Sequence, residues 1–135
     1  MATKTRGSGW NAAVLGILPN QNFKVKVLNR ANSGSVMVGM AIFIDPNGQN
    51  YNQRGWYLYV NNGTLYSQQG DNNRQYATAV NNGSVIEVVF DVTQRNMSFV
   101  IDGVNKGIAF NNLPVQDLFP ALDIHEQNVA IEIIE

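Results

Sequence analysis

Alternation of apolar and polar side chains is the feature of this sequence that most constrains its fold. From residue 23 onward the alternation has a period of two, and no window repeats apolar residues at intervals of three and four over a dozen positions. The segment 23–28 shows this clearly, with Phe23, Val25 and Val27 on one face and Lys24 and Lys26 on the other. The chain is therefore predicted to be all-β.

A second pattern indicates that the strands form two sheets. The segment 36–44 carries no polar side chain, so both of its faces are apolar. A strand of this kind is buried on both sides, as a central strand covered by a second sheet would be. Further strands are predicted at 57–60, 64–66, 76–80, 85–92, 97–101, 107–110, 119–124 and 129–134.

Turn-forming pairs separate these strands at a spacing of roughly eight to twelve residues, which is typical of a sandwich or a barrel. Residues 61–63, Asn-Asn-Gly, predict a tight hairpin because Asn and Gly tolerate a positive φ. The segment 7–18 fits either an edge strand or a short helical turn that caps one end. We predict one domain over 1–135, in which 1–22 are an N-terminal extension or edge element and 23–135 form the sandwich.

Composition narrows the possible partners. Charged residues make up only 14% of the chain, whereas 19 Asn and 9 Gln supply much of its polarity. A net charge of -1 offers no basic field for nucleic acid or an anionic membrane. The sequence shows no stretch of membrane-spanning length and no secretory signal, so we expect a cytoplasmic protein, with the nucleus also compatible.

Residues with catalytic or metal-binding chemistry are few and scattered. The chain has no cysteine, and His125 is its only histidine, which excludes thiolate and multi-histidine metal sites. Asp91, Asp102 and Glu132 do not form a carboxylate pair, and Glu87 is predicted to face solvent because an unpaired buried charge is costly. We therefore predict no catalytic residue, no metal and no cofactor.

The aromatic residues divide into two groups. Most lie within predicted strands and are expected to fill the space between the sheets. Tyr51 and Tyr66 are the exceptions, because each stands beside a polar turn segment where a ring can anchor a partner.

Several short motifs, taken in order, give the chain a family resemblance. They lie at 38–41, 55–58, 65–66, 83–91, 97–103, 107–110 and 118–122. In this order and spacing the string resembles a SPRY domain, the module that also forms the C-terminal half of B30.2 domains. Ser84 replaces the family's usual Asp and Glu87 its usual Gly, which predicts a different local turn. The resemblance implies a bent two-sheet antiparallel β-sandwich of the concanavalin A-like or jelly-roll type.

The resemblance also implies a function in binding rather than chemistry. SPRY domains use loops at one end of the sandwich to hold a peptide or a folded partner, so we expect a protein-interaction module that is compatible with a place in a larger complex. Carried over by position, Tyr66 and the loop after the penultimate strand are expected to contact the partner. The predicted binding residues are Tyr51, Arg54, Tyr66, Gln68, Asp123, His125, Glu126 and Gln127.

Two other classes of function stay open on the residues alone. A lectin is one alternative, because jelly-roll sandwiches bind sugars and a surface of Asn and aromatic residues suits them. An enzyme is the other, and it would depend on His125 or on exposed carboxylates.

Overall fold

The computed structural model describes residues 2–3, 11–14, 19–29, 36–42, 55–67, 72–124 and 129–134. Their strands are β1 (Ala2–Thr3), β2 (Asn11–Val14), β3 (Phe23–Asn29), β4 (Val36–Ala41), β5 (Gly55–Tyr59), β6 (Thr64–Ser67), β7 (Asn72–Gln75), β8 (Val85–Asp91), β9 (Asn96–Ile101), β10 (Val104–Phe110), β11 (Phe119–Ile124) and β12 (Ala130–Ile134). In this part of the chain there is no helix long and apolar enough to cross a membrane.

The strands form two six-stranded sheets in which every neighbouring pair is antiparallel. The first sheet has the order β1-β12-β3-β8-β9-β10, and the second has the order β2-β11-β4-β5-β6-β7. The prediction of an all-β fold with two sheets is therefore confirmed. Of the segment 7–18, residues 11–14 form an edge strand paired with β11, and the rest lies outside the described residues.

The core is the layer between the two sheets, and the alternation of side chains builds it. In β8 and β9 every second residue is buried, including Ile86, Val88 and Phe99. The second sheet contributes Trp56 and Leu58, which are fully buried against them. Glu87, which alternates with these residues, lies on the outer face of the first sheet opposite Lys24, as predicted.

The predicted hairpin at residues 61–63 is confirmed. β5 and β6 pair with Tyr59 opposite Thr64, and Gly63 adopts a φ of 74° while its N–H donates to the Tyr59 carbonyl at 3.0 Å. The side chain of Asn62 accepts hydrogen bonds from the backbone N–H of Thr64 at 3.2 Å and from its hydroxyl at 2.6 Å. These bonds fix the register of the two strands.

The predicted strand at 76–80 is wrong, because the strand lies earlier, at 72–75, and 76–80 leaves the sheet. The N–H groups of Tyr76 and Ala77 both donate to the Gly63 carbonyl, at 3.1 and 2.9 Å, which turns the chain out of the ladder. Val80 then donates to the Val60 carbonyl at 2.9 Å. The segment is a connection between the sheets, and apolar residues are needed there because it covers the edge of the core.

Two side chains, Arg74 and Tyr76, connect the β7 edge of the second sheet to β10, the edge strand of the first sheet. The Tyr76 hydroxyl donates to the Gly107 carbonyl at 2.6 Å and accepts the Phe99 N–H at 3.3 Å. The Arg74 guanidinium donates to the Ala109 carbonyl at 2.6 Å. Burial raises the pKa of Tyr76 above its usual range, which keeps this hydroxyl protonated as a donor. Carbonyls of the edge strand β10 are thereby occupied by the protein's own side chains.

The sandwich has two ends that can be told apart by their turns. The Gly63 end comprises residues 60–63, 81–84 and 102–103, where the Gly83 N–H donates to the Val27 carbonyl at 2.6 Å. The Arg95 end comprises 19–22, 92–95 and 111–118, where Asn20 and Leu118 exchange hydrogen bonds.

A carboxylate at the Gly63 end joins the turn between β9 and β10 to the start of β8. Asp102 adopts a φ of 50° and Gly103 one of 84°, as a two-residue hairpin turn requires. The Asp102 carboxylate accepts the Val85 N–H and the Ser84 hydroxyl, both at 2.9 Å. These two hydrogen bonds lower the pKa of Asp102 below its usual range. Ser84 thus serves as a donor to a carboxylate of the neighbouring turn.

We expect Trp56→Ala to lower the free energy of unfolding by roughly 3 to 5 kcal/mol, because the ring is fully buried and its loss leaves a cavity. Urea denaturation measures the change. The control is Val104→Ala, which truncates an apolar strand residue that is 55% exposed and should cost under about 1 kcal/mol. Equal losses in the two variants would contradict the placement of Trp56.

We expect Asp102→Asn to be less stable than the wild type near neutral pH, because the charged acceptor of two hydrogen bonds is lost while Asn still tolerates the positive φ. Since the folded-state pKa is the lower one, the contribution of Asp102 is present above its unfolded pKa and is lost as the pH falls through the folded value. Urea midpoints of both proteins at about pH 7 and about pH 3 measure it. A stability difference that does not shrink in acid would contradict this role.

Candidate functional site

The second sheet buries a separate apolar cluster on its outer face, away from the layer between the sheets. Met37, Tyr57 and Ala121 are almost completely buried there. Tyr59 and Tyr66 pack against this cluster and stay partly exposed. Two partly buried aromatic rings beside a buried apolar centre form a surface suited to anchoring a partner.

The alternation of side chains along β5 explains why these tyrosines face outward. Trp56 and Leu58 point into the core, so Tyr57 and Tyr59 must point to the opposite face. The prediction that rings within strands fill the space between the sheets is therefore wrong for Tyr57, which is buried on the outer side. The outer position of Tyr59 was missed as well, although the Trp56–Tyr59 alternation carried the signal.

The register of the strands sets the positions of the site residues. In one row Tyr66 stands opposite Tyr57, which stands opposite Gly39. In the next row, toward the Gly63 end, Tyr59 stands opposite Met37, which in turn stands opposite Asp123. Because neighbouring strands lie about 5 Å apart, the backbone of Asp123 is about 10 Å from that of Tyr59.

Two glycines permit the close packing of this face. A Cβ at Gly55 would lie 2.6 Å from the Tyr57 ring, so the absence of a side chain there makes room for that ring. A Cβ at Gly39 would lie 1.8 Å from the Trp56 carbonyl oxygen, so β4 and β5 approach more closely than any other residue would allow. Both positions belong to motifs of the family resemblance.

Tyr59 and Tyr66 form an aromatic pair across β5 and β6. Their ring centroids are 5.8 Å apart and their planes meet at 69°, which is an edge-to-face contact. Such contacts are favourable by about 0.5 to 1.5 kcal/mol and hold each ring in one orientation. The pair therefore presents apolar ring surface from a rigid strand scaffold.

The residues that the sequence predicted for binding are only partly described. Tyr66 lies on the outer face as expected, half-buried rather than fully exposed. Asp123 is in β11 at the position opposite Met37. The other predicted residues lie outside the described residues: Tyr51, Arg54, Gln68, His125, Glu126 and Gln127.

The flanking strands show which end of the sandwich each undescribed connection joins. Ala41 stands opposite Gly55 at the side of the second sheet near the Arg95 end, so the chain leaves β4 and enters β5 there. β11 finishes at the other side, where Ile124 stands opposite Val36. The connection before β5, to which Tyr51 and Arg54 belong, therefore starts and finishes near the Arg95 end. The connection after β11, to which His125, Glu126 and Gln127 belong, starts at the opposite end of the sheet.

Metal-binding chemistry is not concentrated anywhere in the described ranges. No group of three or more His, Cys, Asp or Glu residues in them lies close enough to hold a metal ion.

Comparison with known proteins places this architecture in a family. The sequence profile of the SPRY domain matches residues 21–134, which begins well upstream of the Gly55 motif. The crystal structure of a human SPRY domain has a TM-score of 0.80 at 17% identity, covering 95% of this chain and 86% of that one. The SPRY domain of human HERC1 has a TM-score of 0.74 at 20% identity, covering 97% of this chain and 84% of that one.

No curated protein matches the chain at a significant level of sequence similarity. The two structural likenesses support the same two-sheet sandwich. SPRY domains are generally protein-interaction modules and generally lack catalytic activity. The match to the family covers most of the sequence, and the chain therefore belongs to the SPRY domain family.

Proposed function

We propose that this protein binds a peptide segment or a folded protein partner through the outer face of its second sheet. Tyr66 and Tyr59 are the anchors of this site. The remaining contacts come from Asp123 and from the adjoining connections. The residues proposed on those connections are Tyr51, Arg54, Gln68, His125, Glu126 and Gln127.

The observation that carries the proposal is the half-exposed tyrosine pair on a rigid strand scaffold. Aromatic side chains that are held in one orientation lose little conformational freedom on binding, so more of their contact energy contributes to affinity. Tyrosine also combines an apolar ring with a polar hydroxyl, which suits a surface that is exposed to water before binding and buried in the interface afterwards.

The residues near the Gly63 end supply the polar part of the proposed site. Asp123 shares a row with Tyr59, and Glu126 follows three residues later in the chain. Carboxylates at the rim of an aromatic patch favour a partner segment that offers cationic or N–H donors. The proposed partner is therefore a protein segment with an apolar residue for the tyrosine pair and a donor group beside it.

We expect Tyr66→Ala to weaken partner binding by about tenfold or more, because an aromatic anchor at an interface centre is typically worth over 1 kcal/mol. The partner is first identified by affinity purification from native cells and mass spectrometry, and the purified partner is then titrated calorimetrically. Tyr66→Phe should retain most of the affinity if the ring is what anchors.

The matched control for Tyr66→Ala is Ser98→Ala, a half-buried position on the outer face of the first sheet. It should leave affinity within about twofold of the wild type. Tyr66→Ala removes the contact with the Tyr59 ring and part of the packing against the outer cluster, which should cost roughly 1 to 3 kcal/mol of stability, so a thermal melt confirms that the variant is folded before it is titrated. Wild-type affinity in Tyr66→Ala would remove this residue from the site.

We expect Glu126→Ala to weaken the same titration about fivefold, because a rim carboxylate contributes about 1 kcal/mol when it meets a donor. The thermal melting temperature should stay unchanged. Glu132→Ala, an exposed carboxylate on β12, is the charge-matched control. A loss of equal size in Glu132→Ala would show that net charge, and not this position, is what matters.

A further inference from the structure

A second apolar feature lies at the Arg95 end, remote from Tyr59. Val115 is 91% exposed, and Val92, in the turn between β8 and β9, is 50% exposed. The turn carrying Val92 contacts the loop carrying Val115, because the Leu113 N–H donates to the Arg95 carbonyl at 2.9 Å. We call Val115 and Val92 the valine tip.

The backbone places Val115 at the apex of a tight turn. The Gln116 N–H donates to the Pro114 carbonyl at 2.9 Å, two residues back, which closes a γ-turn around Val115. Pro114 restricts the preceding backbone. A valine at the apex of such a turn projects its isopropyl group away from the protein.

Arg95 holds this turn on both sides of its apex. Its Nη2 donates to the carbonyl of Pro114 and, at 2.9 Å, to that of Gln116, the two residues that flank Val115. Leu113 and Leu118 are buried on either side of the loop and anchor it to the core. Two hydrogen bonds from Arg95 and two buried leucines therefore hold this exposed loop in place, and we call the two hydrogen bonds the Arg95 clamp.

The clamp has a conformational cost. Arg95 adopts a φ of 53°, a region that side chains other than Gly, Asn and Asp rarely occupy. Its Nε is buried and has no hydrogen-bond partner among the described residues, while its guanidinium lies 4.8 Å over the Phe90 ring. Strained backbone is more frequent at functional sites than elsewhere, and a buried unsatisfied donor calls for an explanation.

Three charged groups flank the valine tip. The Arg95 guanidinium is engaged by the carbonyls of Pro114 and Gln116, and the carboxylates of Asp91 and Asp117 leave the region with a net negative charge that favours a cationic partner. Asp91 uses one carboxylate oxygen to accept the N–H groups of Thr93 and Gln94, at 3.0 and 2.9 Å. Asp117 uses one oxygen to accept the Asn20 side-chain amide at 3.1 Å. Both residues are exposed, and the second oxygen of each accepts no hydrogen bond from the described part of the chain.

We propose that the valine tip is a second protein-docking surface, in which Val115 inserts into an apolar socket of a partner protein whose rim carries Lys or Arg side chains. The apolar apex supplies the buried contact and the two aspartates supply charge complementarity. Because the Arg95 clamp already holds the loop in one conformation, binding does not have to order it. This surface is separate from the one proposed around Tyr66.

The first experiment identifies what occupies the tip. Benzoylphenylalanine is introduced in place of Val115 in the full chain, and in a second protein in place of Lys106, an exposed residue on β10. After irradiation in native cell extract, the cross-linked peptides are sequenced. We expect a protein that cross-links from position 115 and not from 106, at an apolar segment next to Lys or Arg. Absence of any protein specific to position 115 would overturn the proposal.

The second experiment titrates the purified cross-linked protein with variants that carry no cross-linker. Val115→Asp should weaken binding by about tenfold or more, because a carboxylate would have to enter an apolar socket, while its folding is unaffected at so exposed a position. Thr93→Ala, an exposed residue of the adjacent turn, is the control and should stay within about twofold. Affinity should also fall with added salt.

Arg95→Lys tests the clamp separately from the contact. Lys keeps the charge, but its ammonium ends one bond short of Nη2, the atom from which Arg95 donates to both carbonyls, and it lacks the planar guanidinium that lies over the Phe90 ring. We expect affinity to fall about threefold or more, and the loop amides of 113–118 to exchange hydrogen faster in the free protein. Unchanged binding in Val115→Asp overturns the docking surface, and unchanged exchange and affinity in Arg95→Lys overturn the role of the clamp.

Discussion

The dry layer between the two sheets is the constraint on which the rest of the structure depends. Trp56 and Leu58 from one sheet meet Phe99 and Ile86 from the other, and all four are fully buried. Because side chains alternate along a strand, filling this layer decides what the other face of each strand presents. The outward tyrosines of β5 and the charged outer face of the first sheet are both consequences of the inward packing.

The two proposed surfaces use different ways of holding an apolar group still. Tyr66 is held by a strand and by the ring of Tyr59, so the regular sheet supplies its rigidity. Val115 sits on a loop, which has no ladder, and the hydrogen bonds from Arg95 supply rigidity instead. In each case little ordering is left for a partner to impose, which is the property expected of an interaction module.

Much of the fold could be predicted because it rests on local patterns. The alternation at 23–28, the apolar run at 36–44 and the Asn-Asn-Gly turn each indicate their structure within a few residues. The error at 76–80 has a different origin, because its apolar residues cover a sheet edge rather than line a strand. Such a segment has the composition of a strand, and its backbone partners at Val60 and Gly63 are distant enough in sequence to leave no local signal.

The sequence by itself determined the all-β class, the family and the expectation of an interaction module, because period-two patterning and ordered short motifs are properties of the chain alone. The candidate site was only partly within its reach: Tyr66 could be singled out by its neighbouring turn, whereas the pairing of Tyr66 with Tyr59 depends on strand register. Only the tertiary structure decided that pairing and the clamp on Val115. Arg95 and Pro114 are far apart in the chain, and no local pattern encodes a contact that folding alone brings about.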